Sequence, residues 1–298
     1  METGSSPATP SRLASGPGYG RRKVVNRIME VLSTLAAVIA VAVLLLVVGS
    51  VLVKGLPALN VDLITKNPGA FGQTGGGIAN SIVGSLILIA LASLISVPLG
   101  IMVAIYTSEF AGPRVSGAIR FALDILNGVP TIVTGVFVFG ILVVGSQQSG
   151  WAGAIALAIV ELPIVARSAQ EVLVLVPRSL HEAGLALGLR RWRIVLRIVL
   201  PTAAGGLITG AVLGVARVAG ETAPLLLTSS IFSNLGITTS PSSALPNIPV
   251  TIFSLSESPS PQDHAQAWAA ALLLIAFVLI LSVTARTFHE RSRRRLKG

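Results

Sequence analysis

Long apolar segments without charge constrain this chain more than any other feature of its sequence. The segment 31–53 has 23 residues and no charged side chain. As a helix it is about 35 Å long, enough to cross a hydrocarbon layer of about 30 Å. Backbone groups find no water in that layer, so such segments fold as helices. Further segments, two of them interrupted by charged residues, are 78–106, 125–144, 151–166, 202–230 and 265–285. We therefore predict an all-α membrane protein with six transmembrane helices.

The composition agrees with this fold class. The chain is 52% hydrophobic and 11% charged, with a mean hydropathy of +0.82, whereas a soluble domain is about a quarter charged. The net charge of +10 does not indicate nucleic acid as a partner, because the basic residues lie between apolar segments rather than on one soluble face. The chain has no cysteine, which excludes disulfides and thiolate metal sites.

The distribution of Lys and Arg predicts the orientation. If both termini are cytoplasmic, 19 of the 22 basic residues fall on the cytoplasmic side, as the positive-inside rule requires. Only Lys54 and Lys66 fall on the other side, and Arg217 lies within a span. Five or seven spans would lose this asymmetry.

The sequence divides into four parts. Residues 1–27 are predicted to be a disordered, basic cytoplasmic tail, because the first 20 are rich in Ser, Gly and Pro. Residues 28–56 form a first transmembrane helix that is too long for a signal-peptide core. Residues 75–286 form the main membrane domain, and 287–298 a second basic cytoplasmic tail. The N-terminal basic cluster acts as a topology determinant alone, or also binds anionic headgroups of membrane lipids.

The motifs of several catalytic classes are missing from the sequence. It has no G-x-x-x-x-G-K, so a phosphate-binding loop is excluded. The glycines Gly72, Gly75, Gly76 and Gly77 have no accompanying lysine and predict a flexible extracytoplasmic turn. His181-Glu182 is not followed by the second histidine of a zinc motif. We predict no catalytic residue and no metal site.

One apolar segment carries a charged pair beside a glycine ladder. Gly206, Gly210 and Gly214 follow the G-x-x-x-G pattern of closely packed membrane helices. At about 100° per residue, Arg217 and Glu221 lie on the same stripe of one helix. A charge in the membrane marks function by default, since it costs about 3 kcal/mol or more there. Arg217 and Glu221 either neutralise each other, or Arg217 offers its guanidinium fork to a tetrahedral oxyanion in transit.

Glu161 and the segment 127–131 each admit two interpretations. Glu161 interrupts the fourth apolar segment, either to pair with a basic residue of a partner or as a peculiarity of this lineage. Residues 127–131, with Gly128 and Pro130, break the third segment. The break is a simple kink, or it starts a new helix whose free N–H groups, near Thr131, contact an anion.

A basic stretch between the fourth and fifth segments has helix-compatible spacing from Arg178 to Arg197, with Pro177 before it. We predict one continuous helix, with Pro201 opening the next span. Its apolar stripe consists of Leu180, Ala183, Leu187, Ile194 and Ile198. The small residues Ala183, Gly184 and Gly188 let a partner approach the backbone. The spacing alone equally fits an amphipathic helix at the membrane surface.

The same stretch resembles the EAA loop of ABC-transporter permeases. Glu182-Ala183-Gly184 is followed after three residues by Gly188, and after nine more by Ile198-Val-Leu200-Pro201. Gly184 stands where the loop usually has its second alanine. The resemblance implies that this is the cytoplasmic coupling helix that docks an ATPase, with a role for each of those residues: Glu182, Ala183, Gly184, Gly188, Ile198, Leu200 and Pro201.

Other segments resemble the permeases of phosphate-specific ABC transporters. They are R-x-x-G-E-T-A-P at 217–224 and the segments 76–84, 128–133 and 162–167. The similarity covers about 30–286 and implies a type I importer permease fold in a bacterial plasma membrane. It implies a substrate pathway that includes Arg217, Glu221, Arg167, Glu171 and Thr131. Gln170 departs from the family, which often has a carboxylate there.

The resemblance also implies partners. They are a homologous permease subunit similar to PstC, two ATPase subunits similar to PstB and an extracytoplasmic phosphate-binding protein similar to PstS. This chain would bind no cofactor itself, since ATP and Mg²⁺ belong to the ATPase. The alternatives are a sulfate or molybdate permease, the sister phosphate permease subunit, and an ATP-independent anion channel or carrier.

Overall fold

The structure, a computed structural model, describes residues 19–69, 76–230 and 236–295, and the regular structure of this part is helical. The helices, in chain order, are α1 (Tyr19–Gly55), α2 (Val61–Thr65), α3 (Ala79–Ile105), α4 (Pro113–Gly128), α5 (Thr131–Val138), α6 (Gly150–Val174), α7 (Arg178–Ala186), α8 (Arg191–Ile194), α9 (Leu200–Ala219), α10 (Ala223–Thr228), α11 (Ile248–Ser256) and α12 (Pro261–Arg295).

Some predictions concern chain segments that fall wholly or partly outside the described residues. These are the disorder of residues 1–18, the turn at Gly72 and Gly75, and the end of the C-terminal tail at 296–298. The part of the predicted disordered tail from Tyr19 to Arg27 is helical instead, because α1 begins at Tyr19. Chain contacts define two units, residues 1–52 and 53–298. Within the first, most of the large apolar side chains of α1 are exposed.

The described residues contain five helices long and apolar enough to span a membrane, or six if the bent pair α4–α5 counts as one span. The bent pair corrects the predicted third span, 125–144. Its two helices meet at 96° across Val129 and Pro130. Pro130 has no N–H to continue α4, and the residue before a proline avoids helical backbone angles. The sharp break with a new helix at Thr131 is therefore observed, rather than a simple kink.

Helix α6 is the centre of the second unit. It packs against α3, α4, α5, α9 and α10, and small residues let its neighbours come close. At one end, Ala154 and Leu157 pack with Leu88 of α3 and Val218 of α9. At the other end, the buried residues Ala169 and Leu173 of α6 form a second apolar cluster with α3, α7, α8 and α9. Helix α6 is two turns longer than the predicted span 151–166.

A network of buried hydrogen bonds lies at one end of this bundle. Ser229 Oγ bonds the N–H and C=O of Leu245 at 2.8 and 3.1 Å, and Asn247 Nδ2 donates to Ser229 O at 3.0 Å. Ser85 Oγ of α3 accepts from Ile248 N at 2.8 Å. Asn247 also caps α11, a helix that lies between the predicted spans 202–230 and 265–285. Side chains thus satisfy backbone groups that lie away from water.

Candidate functional site

The predicted docking helix is two short helices rather than one. Helix α7 begins directly after Pro177, as expected, and ends at Ala186. Gly188 then has a positive φ of 72°, and Leu189 N donates to Gly184 O at 3.1 Å. This left-handed residue is the usual glycine stop of a helix. The continuous helix over 178–197 is therefore wrong, and we call residues 178–201 the docking segment.

The faces of the docking segment differ from the predicted stripe. Glu182 and Ala183 are exposed, as are Gly188 and Leu187. Gly184 is buried, and a Cβ there would lie 2.8 Å from Ile194 Cγ1. Its small size serves packing within the chain, which corrects its interpretation as a surface for a partner. The exposed face offers a carboxylate, at Glu182, that forms no ion pair within the described part of the chain.

The docking segment continues directly into α9. After α8, a π-helical turn from Val195 to Val199 leads into α9 without interruption, so the span begins at Arg191 rather than at Thr202. Ile198 and Leu200 are half-buried, and Pro201 is exposed in the first turn of α9. A displacement of α8 therefore acts on α9 through continuous helix, and α7 is joined to α8 by the turn at 187–190.

The three glycines of the ladder all face α6. A Cβ at Gly206 would lie 2.5 Å from Val172 Cγ1, and one at Gly214 2.7 Å from Val165 Cγ2. A Cβ at Gly210 would collide with Ser168. The absence of side chains on this stripe sets the separation of α6 and α9.

Arg217 and Glu221 form an ion pair across the end of α9. The helix ends at Ala219, so the two residues do not share one helix, which corrects the prediction. Glu221 N still bonds Val218 O at 3.1 Å, and Arg217 Nη1 donates to Glu221 Oε1. The Glu221 side chain is 8% exposed and that of Arg217 55%. Glu221 thus holds one edge of a guanidinium whose other N–H groups can take an oxyanion, so pairing and anion binding are compatible.

The other predicted pathway residues lie elsewhere. Arg167, on α6, bonds Asp124 of α4 at 2.6 Å. Its neighbour Ser168 lies at the level of Gly210, about 10 Å along α9 from Arg217. The two arginines therefore form separate basic centres. Glu171 is exposed and Thr131, in the first turn of α5, is half-buried.

Sequence reasoning missed three contacts around these residues. Glu161 is fully buried, and Ser93 Oγ donates to its carboxylate oxygens at 3.1 and 3.2 Å. Asp124 pairs with Arg167, and Glu109, at the end of α3, pairs with His181 of α7. Each pair joins residues at least 43 positions apart, so no local spacing indicates it. A charged residue inside an apolar segment, as at Glu161, was the one available signal.

These features define a class of protein: the fold is that of type I ABC importer permeases. A chain of a bacterial alginate ABC transporter superposes with a TM-score of 0.65 at 15% identity, covering 90% of this chain and 96% of that chain. A chain of the MetNI methionine ABC transporter in an inward-facing conformation gives 0.56 at 16% identity, covering 72% and 94%.

The chain belongs to the family described as binding-protein-dependent transport system inner membrane component, whose profile matches residues 96–297. A phosphate transport system permease protein PstA from Yersinia pestis is 40% identical over 274 residues, covering 91% of this chain and 92% of the relative. A phosphate transport system permease protein PstA 1 from Mycobacterium tuberculosis is 37% identical over 228 residues, covering 75% and 74%.

Proposed function

We propose that this chain is the transmembrane permease subunit of an ATP-driven phosphate importer. The observation that carries the permease role is the continuity of the exposed docking segment with α9, whose far end bears Arg217. The relatives named as phosphate permeases, which align over most of the chain, support phosphate as the substrate. The sequence has no nucleotide-binding loop, so separate subunits hydrolyse ATP.

Transport in this proposal follows from movement of the docking segment. An ATPase binds the exposed residues Glu182, Ala183 and Gly188, and closure of the ATPase dimer moves α7 and α8. The movement passes into α9 and shifts it against α6 along the glycine ladder. Arg217 then faces the two sides of the membrane in turn, while Glu221 limits how tightly the anion is held.

The proposal includes an orientation and an assembly. Both termini and the docking segment are cytoplasmic, which the distribution of 19 of the 22 basic residues supports. The membrane is a bacterial plasma membrane. The chain pairs with a homologous permease subunit, two ATPase subunits and an extracytoplasmic phosphate-binding protein. ATP and Mg²⁺ bind to the ATPase subunits.

Uptake of labelled phosphate by a deletion strain tests the substrate. Cells that carry the wild-type gene should accumulate phosphate, and a large excess of sulfate should not compete. Competition by sulfate would assign the chain to another oxyanion importer. Arg217→Gln should abolish uptake while the complex still assembles, because an amide neither carries charge nor offers a fork of donors. Normal uptake by this variant would contradict the role of Arg217.

Reconstitution tests the transport class. The purified chain alone in vesicles should not move phosphate, and the complete complex should do so with ATP. Uptake by the chain alone would assign it to ATP-independent channels or carriers. Detergent extraction under mild conditions should recover an ATPase bound to this chain, and an excess of a peptide spanning residues 178–201 should displace it.

A further inference from the structure

The end of α3 is a junction that touches the docking segment. A π-helical turn, Tyr106–Phe110, ends this span. Within it Glu109 is buried, with a side chain 8% exposed, and His181 Nε2 lies 3.1 and 3.3 Å from its two carboxylate oxygens. A carboxylate accepts only, so Nε2–H donates to it. The pair joins α7 to α3 across 72 positions of sequence.

The same turn is anchored to the rest of the bundle. Gln170 Nε2 of α6 donates to Thr107 Oγ1 at 2.8 Å. Ser116 Oγ of α4 donates to Thr107 O at 3.0 Å. Both contacts lie two residues before Glu109. A force applied to Glu109 therefore acts on α3 where α3 is already fixed to α4 and α6.

The other contacts that α7 and α8 make are apolar or weakly polar. Leu180 and Gly184 pack against Ile194 and Ile198, on the segment that leads into α9. Arg191 of α8 lies over the ring of Phe110 at 5.8 Å. Among the described residues, the bond from His181 is the one side-chain hydrogen bond made by α7. Apolar contacts resist separation but not sliding, whereas a charge-assisted hydrogen bond in a buried place is directional.

We propose that His181 is a positioning residue that fixes the docking segment to α3, so that α3 and α9 move together when the ATPase closes. Covalent continuity moves α9, and the His181–Glu109 pair moves α3. Since both helices pack on α6, one displacement of α7 changes the packing of α3 on α6 and of α9 on α6. This inference rests on the proposed docking role of residues 178–201.

The number of phosphate ions imported per ATP hydrolysed, measured with the full complex in vesicles, tests it. His181→Leu keeps the side-chain bulk and removes the donor, and should lower that ratio about tenfold, as expected for loss of a hydrogen bond to a charged group. His181→Gln keeps a donor and should stay near the wild-type ratio. Ser116→Ala is the matched control, because it removes a hydrogen bond of the same junction that does not involve α7.

A crosslink separates a rigid connection from ordinary packing. The chain has no cysteine, so Glu109→Cys with His181→Cys provides the two reactive thiols. In a complex whose other subunits also lack cysteine, the unbridged double variant should be uncoupled. Bridging the thiols with a short bis-maleimide should restore the ratio, because α7 and α3 move as one body. This comparison stands even if His181→Leu does not assemble.

Three results would overturn the proposal. They are a wild-type ratio for His181→Leu, an equal loss in Ser116→Ala, and arrest of transport by the bridged thiols. Failure of the docking role itself is distinguishable, because it appears in the wild-type complex as ATP-independent import or as absence of a bound ATPase.

Discussion

Adding one methyl group at Gly206 should weaken the packing of α9 against α6. A Cβ at this position would lie 2.5 and 2.8 Å from the two γ-carbons of Val172, whereas carbon atoms in contact are about 3.5–4.0 Å apart. Valine in a helix has one strongly preferred rotamer, so rotation cannot remove both methyls. Helix α9 must therefore move away from α6, and overpacking of this kind costs about 1–3 kcal/mol.

The gain in helix propensity from Gly→Ala, about 1 kcal/mol, opposes this cost, and a control variant removes it from the comparison. Gly117 lies inside α4, and a Cβ there would have no described atom within 4 Å beyond its chain neighbours and the backbone of its own helix. Gly117→Ala has the same propensity gain and no clash. Gly206→Ala should thus be about 1–3 kcal/mol less stable than Gly117→Ala. Unfolding of the full chain in detergent by guanidinium, followed by fluorescence of its three tryptophans, measures the difference.

A second substitution tests the cause. Val172→Ala should destabilise the wild-type chain, because it removes packing on a half-buried side chain. In the Gly206→Ala chain it should stabilise, because it removes the clashing methyls. This reversal corresponds to a coupling of about 1–3 kcal/mol between two residues in contact. Equal stability of Gly206→Ala and Gly117→Ala, or the same effect of Val172→Ala on both backgrounds, would refute the packing argument.

Three further predictions concern the turn at Gly188 and the acidic residues Glu161 and Asp124. Gly188→Ala should cost about 1–2 kcal/mol of folding stability, because φ is 72° there, and should reduce ATP-coupled uptake; Gly188→Asn should do less harm, and equal effects would count against the left-handed turn as the cause. Glu161→Gln should leave the free energy of unfolding unchanged or raise it by up to about 2 kcal/mol, because an amide oxygen can still accept from Ser93. Loss of uptake with an intact fold would instead assign Glu161 a transport role. Asp124→Asn should cost about 1 kcal/mol or less, because its ion pair with Arg167 is half exposed, and an unfolding midpoint far below the wild-type value would show that this pair is essential to the fold.

The spans were predictable because hydropathy is a local property of the sequence. The five long helices lie where apolar segments indicated them. Their ends were less predictable, since tertiary packing, rather than the first charged residue, decides where a helix stops. The predicted fourth span ends just before Arg167, yet α6 continues to Val174, and its residues Ala169 and Leu173 are buried against α3, α8 and α9.

The helix ends at Gly188 and Gly220 were marked in the sequence, but the residues at each end admitted two interpretations. Gly188 is a small residue that a partner can approach, and it is also the usual stop of a helix; its φ shows the second role. Gly220 separates Arg217 from Glu221, although four-residue spacing indicated a shared helix. The Glu109–His181 contact had no signal at all, because it depends on how α3 and α7 are placed by the rest of the fold.

Because of the network of buried hydrogen bonds between α10 and α11, the two ends of the bundle differ in stiffness. Around Ser229 and Asn247, backbone amides are bonded to fixed side chains, so opening there requires several bonds to break at once. Around Gly188 the chain is exposed, and the amides of Leu187, Gly188 and Leu189 bond to carbonyls of the last turns of α7 rather than to side chains of another element. Amide hydrogen exchange should therefore be orders of magnitude slower at 245–251 than at 187–190. Within the second unit, the end that carries the docking segment is therefore the end that opens at the lower free-energy cost.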